Sequence, residues 1–366
     1  MKCLSVPELS YGRFSKFIHE DAAQKRIPIS GGLELTFRCN LKCVHCYAIS
    51  GTKNNYEEHS FQEICKILDA IANEGCLWLL ITGGEPLVRK DFLDIYIYAK
   101  KKGFIITLFT NGTLINEEII RCFQKWRPFN IEVTLYGATQ KTYECISGVP
   151  GSYDKCLYGI DLLLSAKLPL RLKSIIMSLN KHEIEELRQF SKSHGVLFLF
   201  DPVLNFGLNG SNHPQNYRLS PEDIIELDIS DEDRFQSWKE YLSDFGTRPL
   251  SDNLYLCGAG ETSFFINPFG ELQMCVLSRS PSYDLRSGNF HEGWYSFIAE
   301  IRRKKVRENF RCKTCDLLSF CGQCPGWSYL EHGNWDTPVD YLCSIAHLRA
   351  EAISFSTNKK GGIKNA

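Results

Sequence analysis

Sixteen cysteines in 366 residues constrain this chain more than any other feature, because so many thiols demand either a network of cross-links or metal chemistry. Their spacing is uneven. Cys39, Cys43 and Cys46 fall within eight residues, while Cys257, Cys275, Cys312, Cys315, Cys321, Cys324 and Cys343 crowd the C-terminal third. Cys3, Cys65, Cys76, Cys122, Cys145 and Cys156 have no neighbour at ligand spacing and read as small buried hydrophobes. Pro7, Glu8 and Arg13 interrupt any continuous apolar run at the N-terminus, so the expected compartment is the cytosol. Thiols stay reduced there, and a disulfide framework is excluded.

Composition removes several classes of partner. With 42 Lys+Arg against 43 Asp+Glu the formal net charge is −1, which gives no reason to expect nucleic acid. Apolar runs such as 77–81 and 196–200 are too short to cross a bilayer. The length suits two domains.

From residue 33 short β-type runs alternate with amphipathic helical stretches, the pattern of βα units around a parallel sheet. Six strands are predicted, at 33–37, 77–82, 104–109, 131–135, 170–178 and 196–200. The first helix has Ser60 and Glu63 at capping-box spacing, apolar Phe61, Ile64, Leu68 and Ile71, and Gly75 as its stop. Others are predicted at 91–102, 116–126, 152–166 and 181–193. The fold class is therefore α/β: a partial (β/α)6 TIM-like barrel over 31–205, after an N-terminal extension, 1–30. A bridging helical segment, 206–256, leads to a separate small cysteine-rich domain at 257–345 and a tail, 346–366, expected to fray from Ser356.

After the first strand comes Cys39-Asn40-Leu41-Lys42-Cys43-Val44-His45-Cys46, where a barrel presents its active-site loop. Three thiolates can hold three irons of a [4Fe–4S] cubane and leave the fourth open; a zinc ion completed by His45 is the competing reading. The second strand ends in Thr82-Gly83-Gly84-Glu85-Pro86. Its glycines allow close backbone approach to a ligand, and its carboxylate suits an amine.

Together these two motifs resemble the radical S-adenosylmethionine (SAM) superfamily, with its Cys-x3-Cys-x-aromatic-Cys loop and Gly-Gly-Glu-Pro strand end. The resemblance spans about 31–205 and implies that SAM chelates the open iron through its amino and carboxylate groups. It implies that Gly83, Gly84, Glu85 and Pro86 meet the amino group, that His45 stands at the adenine-contacting position, and that Asn111, Thr134 and Ser174 lie toward the ribose. Tyr136 stands where relatives carry an acid. Reductive cleavage of SAM to a 5′-deoxyadenosyl radical follows from the family.

The C-terminal array runs Cys257-x12-Gly270-x4-Cys275, Cys312-x2-Cys315-x5-Cys321-x2-Cys324-Pro325, then Cys343. A zinc ribbon would use four of the seven. The array resembles the SPASM domain, one residue short in the fourth interval. Carried over, Cys312, Cys315, Cys321 and Cys343 hold a distal [4Fe–4S] cluster, and Cys257, Cys275 and Cys324 a proximal one. Several relatives have a further cysteine shortly after the first, and 258–265 has none here, so the resemblance implies a proximal cluster that is either open or completed by a non-cysteine ligand.

Enzymes of this kind commonly act on peptides or proteins, and others on tetrapyrroles. Val276 follows Cys275 where sulfatase-maturing relatives carry an acid. The expected function is oxidative modification or cross-linking of a ribosomally made peptide. The expected partners are a flavodoxin- or ferredoxin-type electron donor and a separate leader-peptide recognition protein, because about 30 residues precede the first strand. The competing readings are radical decarboxylation or dehydrogenation of a small molecule, and a non-catalytic cluster carrier.

Overall fold

A computed structural model describes residues 11–48, 57–245 and 251–361; Cys3 lies outside them. Six strands form a parallel sheet: β1 (Ser30–Glu34), β2 (Trp78–Thr82), β3 (Ile105–Thr110), β4 (Asn130–Thr134), β5 (Leu170–Ile175) and β6 (Leu197–Asp201). Helix α1 (Tyr11–Lys25) precedes it, and α2 (Phe61–Asn73), α3 (Phe92–Lys101), α4 (Glu117–Lys125), α5 (Gln140–Ser147), α6 (Ser152–Ser165) and α7 (Ile184–Ser193) follow its strands. One face of the sheet packs Ile81, Leu108, Val133 and Leu172 into the main core under the helices. The opposite, concave face carries Phe109, Glu132, Thr134, Arg171 and Lys173, because side chains alternate along a strand.

The cysteine-rich region is not detached from the barrel, as its composition leads one to expect. Strand β7 (Ser263–Ile266) pairs in parallel with β1, and β8 (Glu271–Gln273) and β9 (Tyr283–Asp284) extend the same sheet, in the order β6-β5-β4-β3-β2-β1-β7-β8-β9. The same joint explains why β1 begins at Ser30 and not at Leu33. A Cβ on Gly31 would stand 2.4 Å from the Phe264 ring, and one on Gly32 would stand 2.2 Å from the Phe265 ring. These two glycines, outside the predicted strand, are strand residues making room for their neighbour's aromatics.

The tail also departs from expectation, because a helix runs from Asp340 to Gly361 and includes positions expected to fray. It packs on α8 (Pro221–Ser230), which α9 (Glu232–Phe245) follows. Arg349 donates to Asp228 Oδ2 from Nε at 2.9 Å and Nη2 at 2.8 Å, both side chains being buried. Among the described residues no helix is long and apolar enough to cross a membrane.

Candidate functional site

The loop that carries the first three cysteines is laced to the end of β2. Leu35 N donates to Thr82 O at 2.9 Å, Gly84 N to Thr36 O at 2.8 Å, and Glu85 N to Arg38 O at 2.9 Å. Gly83 has φ +140 and a Cβ there would lie 2.4 Å from Thr36 O; at Gly84 it would lie 2.4 Å from Arg38 O. The backbone these glycines admit is the protein's own.

Glu85, expected toward a bound amine, makes hydrogen bonds within the fold through both oxygens. It is fully buried; Oε1 accepts from Leu87 N at 3.1 Å and Thr110 Oγ1 at 2.8 Å, and Oε2 from Asn111 N at 2.7 Å. Both oxygens are used inside the fold. Burial pushes the carboxyl up to about 7, against those three donors and the charge of Lys173. Pro86 opens a short 3-10 turn capped by Glu85.

Asn111 is brought to the first cysteine. Its Nδ2 donates to Asn40 Oδ1 at 3.0 Å and lies 3.8 Å from Cys39 Sγ, while its Oδ1 accepts from Thr113 Oγ1 at 2.6 Å. From the other side α5, which the sequence reading missed, holds the loop: Lys42 N donates to Ser147 O at 2.8 Å and Val44 N to Ile146 O at 2.9 Å. Thr139 as N-cap and left-handed Gly148 as C-cap were its legible signals.

The thiols of Cys39, Cys43 and Cys46 come together. Burial raises all three, Cys43 to about 12; for Cys39 the charge of Cys46 adds to this, and for Cys43 the charges of both other cysteines. Thiols so buried stay protonated unless a cation beside them stabilises the thiolate form. His45 is buried with its ring 5.0 Å from that of Tyr136, its Nδ1 has no hydrogen-bond partner, and burial lowers it to about 4, leaving a neutral ring. Tyr136 reaches Cys43 as well.

On the concave face, Thr134 is half-buried and in register with Lys173. Ser174 is not on that face. It pairs with Phe200, is buried on the helix side, and its Oγ turns to Ile175 O at 3.5 Å. Lys173, one position earlier, faces inward, as Arg171 does. Its Nζ stands over the Phe109 ring and 3.7 Å from Glu132 Oε2, and burial draws the amine down to about 7, with Glu132 opposing.

The C-terminal thiols gather in two sets. Burial raises Cys275 and Cys324, the latter to about 11; the charge of Cys257 adds at both, and that of Cys275 adds at Cys324. Cys312, raised to about 11 chiefly by burial, feels Cys321, Cys315 and Cys343. Cys324 thus lies with Cys275 although Cys321 is three residues away. Tyr255, buried and donating to or accepting from Ser278 Oγ at 2.7 Å, stands near the first set.

The family model of the radical SAM superfamily matches residues 33–193. Residues 33–193 are a radical SAM domain. Its superfamily uses SAM and a [4Fe–4S] cluster, and the cysteine-rich C-terminus of this radical SAM chain fits auxiliary clusters. It is 26% identical over 325 residues to the AdoMet-dependent heme synthase of Methanosarcina barkeri, covering 82% of this chain and 92% of that one. It is 26% identical over 310 residues to the antilisterial bacteriocin subtilosin biosynthesis protein AlbA of Bacillus subtilis, covering 81% and 67%. The crystal structure of Streptococcus suis SuiB bound to precursor peptide SuiA shares the radical SAM fold, with a TM-score of 0.67 and 16% identity over 94% of this chain and 84% of that one.

Proposed function

We propose that this enzyme oxidatively modifies or cross-links a ribosomally made peptide in the cytosol, with electrons from a flavodoxin- or ferredoxin-type donor. The observation that carries the reading is the gathering of the seven C-terminal thiols into sets of three and four beside a radical SAM barrel. In this reading Cys39, Cys43 and Cys46 hold the catalytic cluster, Cys257, Cys275 and Cys324 a proximal cluster, and Cys312, Cys315, Cys321 and Cys343 a distal one. The relative AlbA is named for bacteriocin biosynthesis, and SuiB was crystallised with a precursor peptide, which favours a peptide substrate.

When bound, SAM and its cluster supply a 5′-deoxyadenosyl radical able to remove a hydrogen atom from an unactivated carbon. The chain's own residues enclose that event. Glu85 and Asn111 fix the strand ends around the cysteine loop, and Gly83 and Gly84 let the two backbones touch. Neutral His45 and Tyr136 wall the loop with apolar ring faces that exclude water. Thr134 and Lys173 line the concave face below it.

Incubation of reconstituted, reduced enzyme and SAM with peptides encoded beside its gene tests the reading by mass spectrometry. Loss of two hydrogens from a peptide supports it. Turnover of a coproporphyrin-type substrate with unchanged peptides replaces it with the small-molecule reading, which the heme synthase relative favours.

A further inference from the structure

β1 ends on Glu34, buried with 3% of its side chain exposed, and the turn after Cys275 carries Arg279. The two form a bidentate pair. Arg279 Nη1 donates to Glu34 Oε2 at 2.7 Å and Nη2 to Oε1 at 2.8 Å. Nε donates back to Val276 O at 3.0 Å, and the guanidinium lies 5.4 Å from the centre of the Phe37 ring. The fork is held on every side.

This pair joins the two groups of cysteines. Glu34 leads into Cys39, and Arg279 follows Cys275. Tyr47, next to Cys46, is pushed up to about 12 by burial first and then by Glu34, with Arg279 opposing; Cys275 also feels Arg279. Strands β1 and β7 already join these regions by a backbone ladder and apolar packing. A buried ion pair costs desolvation that such packing does not. What it adds is a fixed orientation for a cation and a carboxylate, with the cation near Cys275.

We propose that Arg279, held by Glu34, is a positioning residue that raises the reduction potential of an iron–sulfur cluster at Cys257, Cys275 and Cys324. This rests on the reading that those three cysteines hold a cluster. Reduction adds one electron to such a cluster and breaks no bond, so a nearby cation favours the reduced form and a nearby carboxylate opposes it. The two partners act with opposite signs.

The test is an EPR-monitored redox titration of the full chain, reconstituted with iron and sulfide and reduced with dithionite, the signal being assigned by its loss in Cys324→Ala. Arg279→Gln shifts that signal to lower potential, Glu34→Gln shifts it to higher potential, and Arg279→Lys, which keeps the charge, stays nearer the parent. If Arg279→Gln fails to fold, Glu34→Gln and Arg279→Lys carry the comparison. With iron content unchanged, an absence of shift, or shifts of the same sign in the Glu34 and Arg279 variants, overturns the proposal. If Cys324→Ala keeps the full iron content of its parent, the cluster assignment itself has failed, an outcome separated from the first by the iron count.

Discussion

Glu85 Oε2 accepts the Asn111 backbone N–H at 2.7 Å, and the Asn111 side chain continues the link to Asn40 and Cys39. The ends of β2 and β3 are thereby tied through one buried carboxylate to the loop that presents the first thiol. Its removal leaves the Leu87, Thr110 and Asn111 donors without an acceptor.

Glu85→Ala therefore lowers stability by roughly 1–3 kcal/mol, the cost of unsatisfied buried donors. The pH dependence has a defined sign. The folded carboxyl titrates at about 7, above its unfolded value, so its contribution is complete below the unfolded value and is lost as pH rises toward 7. Urea unfolding between pH 5 and 7.5 shows the parent losing more stability with rising pH than Glu85→Gln. Parallel curves contradict the assignment.

Gly84→Ala places a methyl group 2.4 Å from Arg38 O, a backbone atom with no rotamer by which to retreat. The expected result is a destabilisation of roughly 1–3 kcal/mol, the usual cost of overpacking. Visible absorption and iron content show loss at the Cys39, Cys43 and Cys46 site, while the C-terminal cysteines keep theirs.

Lys173 titrates in the fold at about 7, below its unfolded value, chiefly through burial. The protein is thus most stable where the amine is neutral and loses that stability as pH falls toward 7. In Lys173→Met, Glu132 keeps Asn130 Nδ2 at 3.0 Å and Arg171 Nη1 at 4.0 Å. Stability at pH 6.5 rises by up to a few kcal/mol, as a shift of several pH units allows. Chemical denaturation at pH 6.5 and 9 checks this, with the gain larger at the lower pH.

The six parallel strands were legible because apolar, β-branched runs buried on the helix side declare themselves in sequence. Three features were hidden for physical reasons. Gly31 and Gly32 carry no strand propensity, and only the Phe264 and Phe265 rings of a strand more than 200 residues later explain them. Ser174 and Lys173 are one residue apart, which in a strand means opposite faces, and only the pairing with Thr134 and Phe200 tells which of them faces inward. Arg279 and Glu34 lie 245 positions apart and carry no local motif. The cysteine motifs, by contrast, stand out by their spacing in the sequence.

Those sets make a prediction by subtraction. With three cubanes the full chain holds about twelve irons, and loss of any one site leaves about eight. Cys324→Ala and Cys321→Ala, three residues apart, are expected to abolish different EPR signals, because Cys324 lies with Cys275 and Cys321 with Cys312. Loss of the same signal in both contradicts the crossing.

The most direct measurement is formation of 5′-deoxyadenosine by the anaerobically reconstituted, dithionite-reduced protein supplied with SAM, beside Cys43→Ala. Product from the parent and none from the variant is the predicted result; no product from fully iron-loaded, reduced parent would contradict radical catalysis by this chain.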